Sequence, residues 1–224
     1  MIKGILFDFD GTVSYRYLSA FKMFHWFLSK IDPSLDMDML KKESILQRCL
    51  LWDQYGTINK RFTLEQLKKK FYPDLDIEKM YVLWYDHFHE HQYLMPQANE
   101  VLHELKEDFK LGMISNGPYE SQMIKIKALK MDKLFDPILI SGQFGKAKPD
   151  RKIYLAACTK MNLQPSEVAF VGDTFSTDIV GAIQAGLLPV WYCFERRGIT
   201  DLPVKQVSNY EELYRFFRQM KENK

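Results

Sequence analysis

Short apolar runs recur along the chain: Ile2–Phe7, Leu111–Ile114, Ile138–Ile140, Val168–Val171 and Leu188–Tyr192. Amphipathic stretches of helical period separate most of them. Runs of this length between turn residues read as buried strands. Strands alternating with helices predict an α/β fold, a doubly wound, Rossmann-like parallel sheet with helices on both faces. One interval breaks the alternation. From Ser14 to about Met95 only helical patterns occur, rich in Leu, Met, Trp, Tyr and Phe, with turns at Pro33 and Pro73-Asp74. Within it a helix is expected to start near Thr63, the N-cap, with Gln66 at the capping-box position and Leu64, Leu67, Lys68 and Phe71 following. A single β-α-β crossover does not need so long a segment. The expected architecture is therefore an α/β core of residues 1–13 and 96–224 carrying an inserted all-helical cap of residues 14–95.

Composition narrows the class. The 224 residues are 46% apolar and 27% charged, which is globular rather than disordered. A net charge of +2, from 31 basic and 29 acidic residues, gives no electrostatic case for a nucleic acid polymer as partner. Cys49, Cys158 and Cys193 are odd in number, widely spaced and free of any CxxC pair, so reduced thiols are expected rather than a disulfide frame or zinc site. The first strand begins at the amino terminus, which leaves no room for a signal peptide, and no apolar run approaches membrane-spanning length. A soluble, cytoplasmic protein without a membrane partner is expected. The charged end Lys221–Lys224 should be frayed surface.

The chemistry gathers at the strand ends, where open α/β sheets bind their ligands. The first strand runs into Asp8-Phe9-Asp10-Gly11-Thr12, and alternation along a strand sends Asp8 and Asp10 the same way. Two acids side by side repel one another and contribute nothing to a core. They become sensible beside a divalent cation, with one acid attacking an electrophile and the other handling a proton. Ser115-Asn116-Gly117 follows the second strand, and Lys146-Ala147-Lys148-Pro149-Asp150 lies between the third and fourth. Gly172-Asp173-Thr174 ends the fourth, with Asp178 a little over one helical turn beyond. Taken singly these are a turn, a solvated lysine and two caps. Four such clusters in order at strand ends point to one site. His87, His89 and His91 suggest a metal, but on a helix only His87 and His91 share a face and no third ligand is apparent, so they read as exposed helix residues. Trp26, Trp52, Tyr55, Trp84 and Tyr85 read mostly as core of the helical interval.

In order, spacing and strand context the four clusters resemble the motifs of the haloacid dehalogenase superfamily, specifically its phosphatase-like members. Asp8 to Thr12 is similar to motif one, Ser115 to Gly117 to motif two, Lys148-Pro149 to motif three, and Gly172-Asp173 through Asp178 to motif four. The helical interval matches the subfamily whose cap follows motif one. One departure is Pro96-Gln97-Ala98, where relatives often carry glycine after the proline. Leu51–Tyr55 and Thr63–Leu67 bear a loose similarity to the cap of the pyrimidine 5′-nucleotidase branch.

The resemblance implies a residue-by-residue mechanism. Asp8 is the nucleophile that forms an aspartyl phosphate, and Asp10 protonates the leaving oxygen and then activates water. A phosphate ester repels a carboxylate unless cations intervene, so Mg²⁺, with Mn²⁺ as substitute, is the implied cofactor. Its ligands would be Asp8, the main-chain carbonyl of Asp10, and Asp173, with Asp178 and Thr12 in the layer behind. Ser115, Asn116, Gly117 and Lys148 would bind the phosphoryl group, Lys148 as a fixed positive charge. The implied activity is a Mg²⁺-dependent phosphomonoesterase on a small phosphorylated metabolite, a nucleoside monophosphate being one candidate. The alternatives are a phosphomutase of β-phosphoglucomutase type and a catalytically silent binding or regulatory module. The cap is expected to move about Val13–Tyr15 and Met95–Ala98 to exclude water and release product.

Overall fold

The computed structural model describes residues 1–194 and 198–222, in two compact units: residues Met1–Ser14 with Leu94–Lys224, and residues Tyr15–Tyr93. The first unit is built on a sheet of six parallel strands: β1 (Gly4–Phe7), β2 (Lys110–Ser115), β3 (Ile138–Ile140), β4 (Val168–Gly172), β5 (Leu188–Tyr192) and β6 (Lys205–Val207). Their spatial order is β3-β2-β1-β4-β5-β6. The chain therefore winds outward from β1 to one edge and returns to start again at β4. This puts the topological switch between β1 and β4, and ligands of open α/β sheets bind at such a point. Every residue of β1 and β4 is buried, as continuous apolar runs between two helical layers require. The short β6 is absent from the sequence-based expectation. Of its Lys-Gln-Val only Val207 is buried, too little pattern to read as a strand.

The second unit is helical: α1 (Arg16–Ile31), α2 (Met39–Asp53), α3 (Lys60–Lys70) and α4 (Ile77–His87). Asp38, Asn59 and Asp76 cap the last three through side-chain oxygens accepting from Lys41 N, Arg61 N and Lys79 N at 2.9–3.1 Å. The expected start near Thr63 is thus corrected. Asn59 caps α3 and Thr63 lies buried inside it. Trp84, 2% exposed, anchors the core against Phe24 and Phe27, with Leu46, Leu64 and Leu67 around them. Trp26 and Trp52 pack at its margin, whereas Tyr55 and Tyr85 are exposed, contrary to a core role. Buried Asp53 is paired with Arg16 at 3.0 Å and with Lys60, whose ammonium lies over the Trp84 ring. Pairing is what lets such charges stay buried. The histidines are half-buried rather than exposed. His87 ends α4, and His87 and His91 hold their rings against Trp26 at 4.8 and 5.7 Å.

Helices α5 (Ala98–Lys106), α6 (Tyr119–Ala128), α7 (Ser141–Phe144), α8 (Arg151–Met161), α9 (Val180–Ala185) and α10 (Tyr210–Glu222) complete the first unit. Tyr154, Ile153 and Ala157 of α8 pack with Leu6, Ile114 and Phe170 of the sheet. Gln97, the N-cap of α5, adopts φ +63°, a left-handed conformation that glycine takes without steric cost. Of the charged end, Lys221 pairs with Asp108, as does Arg218 before it, and Glu222 is exposed. Residues 223 and 224, within the span expected to fray, lie outside the described residues. Cys49, Cys158 and Cys193 are buried and none is disulfide-bonded. No helix among the described residues is long and apolar enough to cross a membrane.

Candidate active site

The register of the sheet assembles the site. Phe7 pairs with Val171, and Asp8 N donates to Val171 O at 2.9 Å, so the chain leaving β1 runs beside the end of β4 and brings Asp8 next to Gly172-Asp173. Asp8 is 6% exposed. Lys148 places its ammonium 2.5 Å from Asp8 Oδ1 and 2.7 Å from Asp178 Oδ1. Asn116 fixes the lysine's main chain: its Oδ1 accepts from Lys148 N at 2.9 Å and its Nδ2 donates to Lys148 O at 3.1 Å. Asp178 projects from the wide turn Phe175–Ile179, its Oδ2 accepting from Thr174 N at 2.9 Å. Gly172 makes room for it, since a Cβ there would stand 2.5 Å from the Asp178 side chain. Gly11, at φ +93°, does the same for Asp173.

Oxygens of Asp8, Asp173 and Asp178 lie within 4.8 Å of one another. Burial pushes the Asp8 carboxyl up to about 7; Lys148 opposes the rise and Asp178 reinforces it. Asp173 is held well above the usual carboxylate range by burial and by the charges of Asp8 and Asp178. Burial works against the charge on Lys148, but Asp178 and Asp8 outweigh it and raise its pKa. One ammonium among three carboxylates leaves the cluster short of positive charge. An all-oxygen donor set in that condition fits a hard divalent cation such as Mg²⁺ or Mn²⁺. Among the described residues it is the one group of acidic, histidine or cysteine ligands so arranged.

Asp10 is served separately. Lys125 of α6 donates to both its oxygens, at 2.8 and 2.6 Å, and Gln122 Nε2 donates to Oδ2 at 3.0 Å and to Asn116 O at 2.7 Å. Neither residue figured among the sequence-derived candidates. Their signal was a polar pair three apart on the helix that follows Ser115-Asn116-Gly117, hence on one face. Ser115, 1% exposed, ends β2. Thr12 Oγ1 donates to Asp173 Oδ1 at 3.4 Å, and Thr12 O accepts from Tyr210 OH at 3.0 Å. The Asn116 side-chain amide is engaged with the Lys148 main chain, and Gly117 N donates to Ser141 Oγ at 2.9 Å. Both act on the architecture of the loops around Lys148 and α6.

The chain is similar to known proteins in sequence and in fold. A family model described as haloacid dehalogenase-like hydrolase matches residues 5–191. Human N-acylneuraminate-9-phosphatase is 32% identical over 134 residues, 59% of this chain and 53% of that protein. The pyrimidine 5′-nucleotidase YjjG of Escherichia coli is 35% identical over 122 residues, 53% of this chain and 54% of that protein. The chain thus spans about half the length of these relatives. Against the glyceraldehyde 3-phosphate phosphatase of Methanopyrus kandleri it is 28% identical over 231 residues, covering 98% of this chain and 99% of the other. In fold it is similar to the HAD-hydrolase YfnB of Bacillus subtilis, solved bound to magnesium, with a TM-score of 0.76, 20% identity and coverage of 96% and 98%.

Proposed function

Because the chain belongs to the haloacid dehalogenase-like hydrolase family, we propose that it is a divalent-cation-dependent phosphatase of small phosphorylated metabolites, working through an aspartyl phosphate at Asp8. The observation that carries this reading is the cluster of Asp8, Asp173 and Asp178 around Lys148, with Asp10 held apart on its own cation. The relatives' names share one chemistry, a phosphate monoester on a small sugar-like or nucleoside alcohol. That shared part is what we carry over.

In the proposed reaction an Asp8 oxygen attacks phosphorus while the ester P–O bond breaks. Asp10, entering the step as the carboxylic acid, gives its proton to the departing oxygen and becomes the carboxylate, which then takes a proton from the water that releases phosphate from Asp8. Lys148 keeps its charge at Asp8 throughout, held in place by Asp178. Ser115, at the end of β2, is the candidate donor to a phosphoryl oxygen. Mg²⁺ held by Asp8, Asp173 and the main-chain carbonyl of Asp10 would supply the positive charge that lets two anions meet. A panel of phosphate monoesters, assayed for inorganic phosphate with Mg²⁺ and with chelator, tests the proposal. Metal-dependent phosphate release is expected. An isomerised sugar phosphate without phosphate release would identify a phosphomutase, and no turnover of any ester would contradict an enzymatic role.

A further inference from the structure

Asp10 is gripped by two side chains of α6, Lys125 and Gln122. Lys125 is only 7% exposed, and its ammonium sits 5.3 Å from the centre of the Phe9 ring as well as on both Asp10 oxygens. Burying a lysine costs several kcal/mol unless an anion meets it, and here that anion is Asp10. Gln122, also buried, lies one turn earlier on the same face of α6 and joins Asp10 to the main chain after β2. Its orientation is set by Asn116 O, which can only accept, so the amide nitrogen must face it and Asp10 together. Gly117 completes the arrangement: at φ +139° it has no Cβ, and one would stand 2.8 Å from Gln122 Nε2. The glycine after Asn116 therefore makes space for the glutamine that reaches Asp10.

Asp8 has a different cation, Lys148, from a different element. The two acids thus have separate cations, and the Asp10 side chain stays 24% exposed while the side chain of Lys125 is 9% exposed. We propose that Lys125 and Gln122 are positioning residues for Asp10, fixing the carboxylate at the place where it meets the leaving oxygen. The inference rests on the phosphatase reading above. It makes the two residues act chiefly on proton delivery to the leaving group, since Lys148 and not Lys125 is the cation at Asp8.

Leaving-group dependence separates these steps. A poor leaving group needs a proton as the P–O bond breaks, whereas p-nitrophenolate departs with little help. kcat/KM for p-nitrophenyl phosphate and for phenyl phosphate should be measured with Mg²⁺ for the parent protein, Lys125→Met, Lys125→Arg and Gln122→Ala. General acid catalysis is worth about 10²–10⁴-fold. Lys125→Met should lose about 10²-fold or more on phenyl phosphate but less than about tenfold on p-nitrophenyl phosphate. Gln122→Ala should show the same bias more weakly, and Lys125→Arg should recover most of the loss because it keeps the cation. Equal losses on both esters, or no loss in a folded Lys125→Met, would overturn the inference while leaving the phosphatase reading intact. A parent protein inert toward both esters and toward the wider ester panel would overturn the two together.

Discussion

Asp8 and Asn differ by little more than a charge, and the surroundings of Asp8 disfavour that charge in the absence of metal. Its carboxyl is raised to about 7 by burial, and Asp178 adds to the effect against the pull of Lys148. Asp8→Asn should therefore abolish phosphate release while leaving the metal-free fold at least as stable at pH 8, measurable by chemical denaturation. The same shift sets a pH dependence. From the ordinary value of 3.8 up to about 7 the folded protein keeps a proton that the unfolded chain has lost. Stability contributed by this group falls as pH rises through that window and levels off above it. Thermal midpoints in chelator should decline from about pH 5 to about pH 7, less steeply in Asp8→Asn. Asp173, raised for the same reasons, supplies the remaining slope. A divalent cation competes with these protons, so its apparent affinity should climb over the same range. Asp8 and Asp10 stood out because paired acids at a strand end make no structural sense, and Asp173 because it closes a series of polar clusters at strand ends. Gln122 and Lys125 did not: although three apart on one helix face, they sit among Met123, Ile124, Ile126 and Lys127, and nothing in the sequence joins them to the distant Asp10.

At the scale of elements, α5 starts from a strained residue. Gln97 is exposed and holds φ +63°, a region costing a residue with a Cβ roughly 1 kcal/mol. Gln97→Gly should raise stability by up to about 1 kcal/mol in urea denaturation without touching the site. A loss of stability would mean that the glutamine side chain contributes contacts worth more than the strain. The parallel sheet was readable because β1 and β4 are apolar at every position, the mark of strands covered on both faces. β6 was not, with one buried residue in three. The start of α3 was misplaced because Thr63 and Gln66 imitate a capping box. The true cap, Asn59, precedes Lys60-Arg61, two charged residues that carry no hydrophobic period.

For the whole molecule, the sequence offers two sets of candidate metal ligands, one in each unit, and among the described residues only the carboxylates have the arrangement of a metal centre. The carboxylates Asp8, Asp173 and Asp178 lie in the α/β unit, and His87, His89 and His91 in the helical one. His87 and His91 pack on Trp26, which accounts for their placement without a metal. Titrating Mg²⁺ against phosphate release should show weakened affinity and rate together in Asp173→Asn, and an unchanged metal response in His87→Ala. A normal response in the first variant, or a lost one in the second, would move the centre. Oxygen ligands alone also favour Mn²⁺ as a working substitute, whereas Ca²⁺, larger and looser in geometry, should bind without supporting turnover.

The proposed covalent step at Asp8 is tested most directly by mass spectrometry of protein quenched in acid during turnover of a good phosphate ester with Mg²⁺. The expected result is one phosphoryl group on the peptide containing Asp8, absent from Asp8→Asn, which releases no phosphate. Turnover by the parent with that peptide unmodified, together with an active Asp8→Asn, would contradict the mechanism.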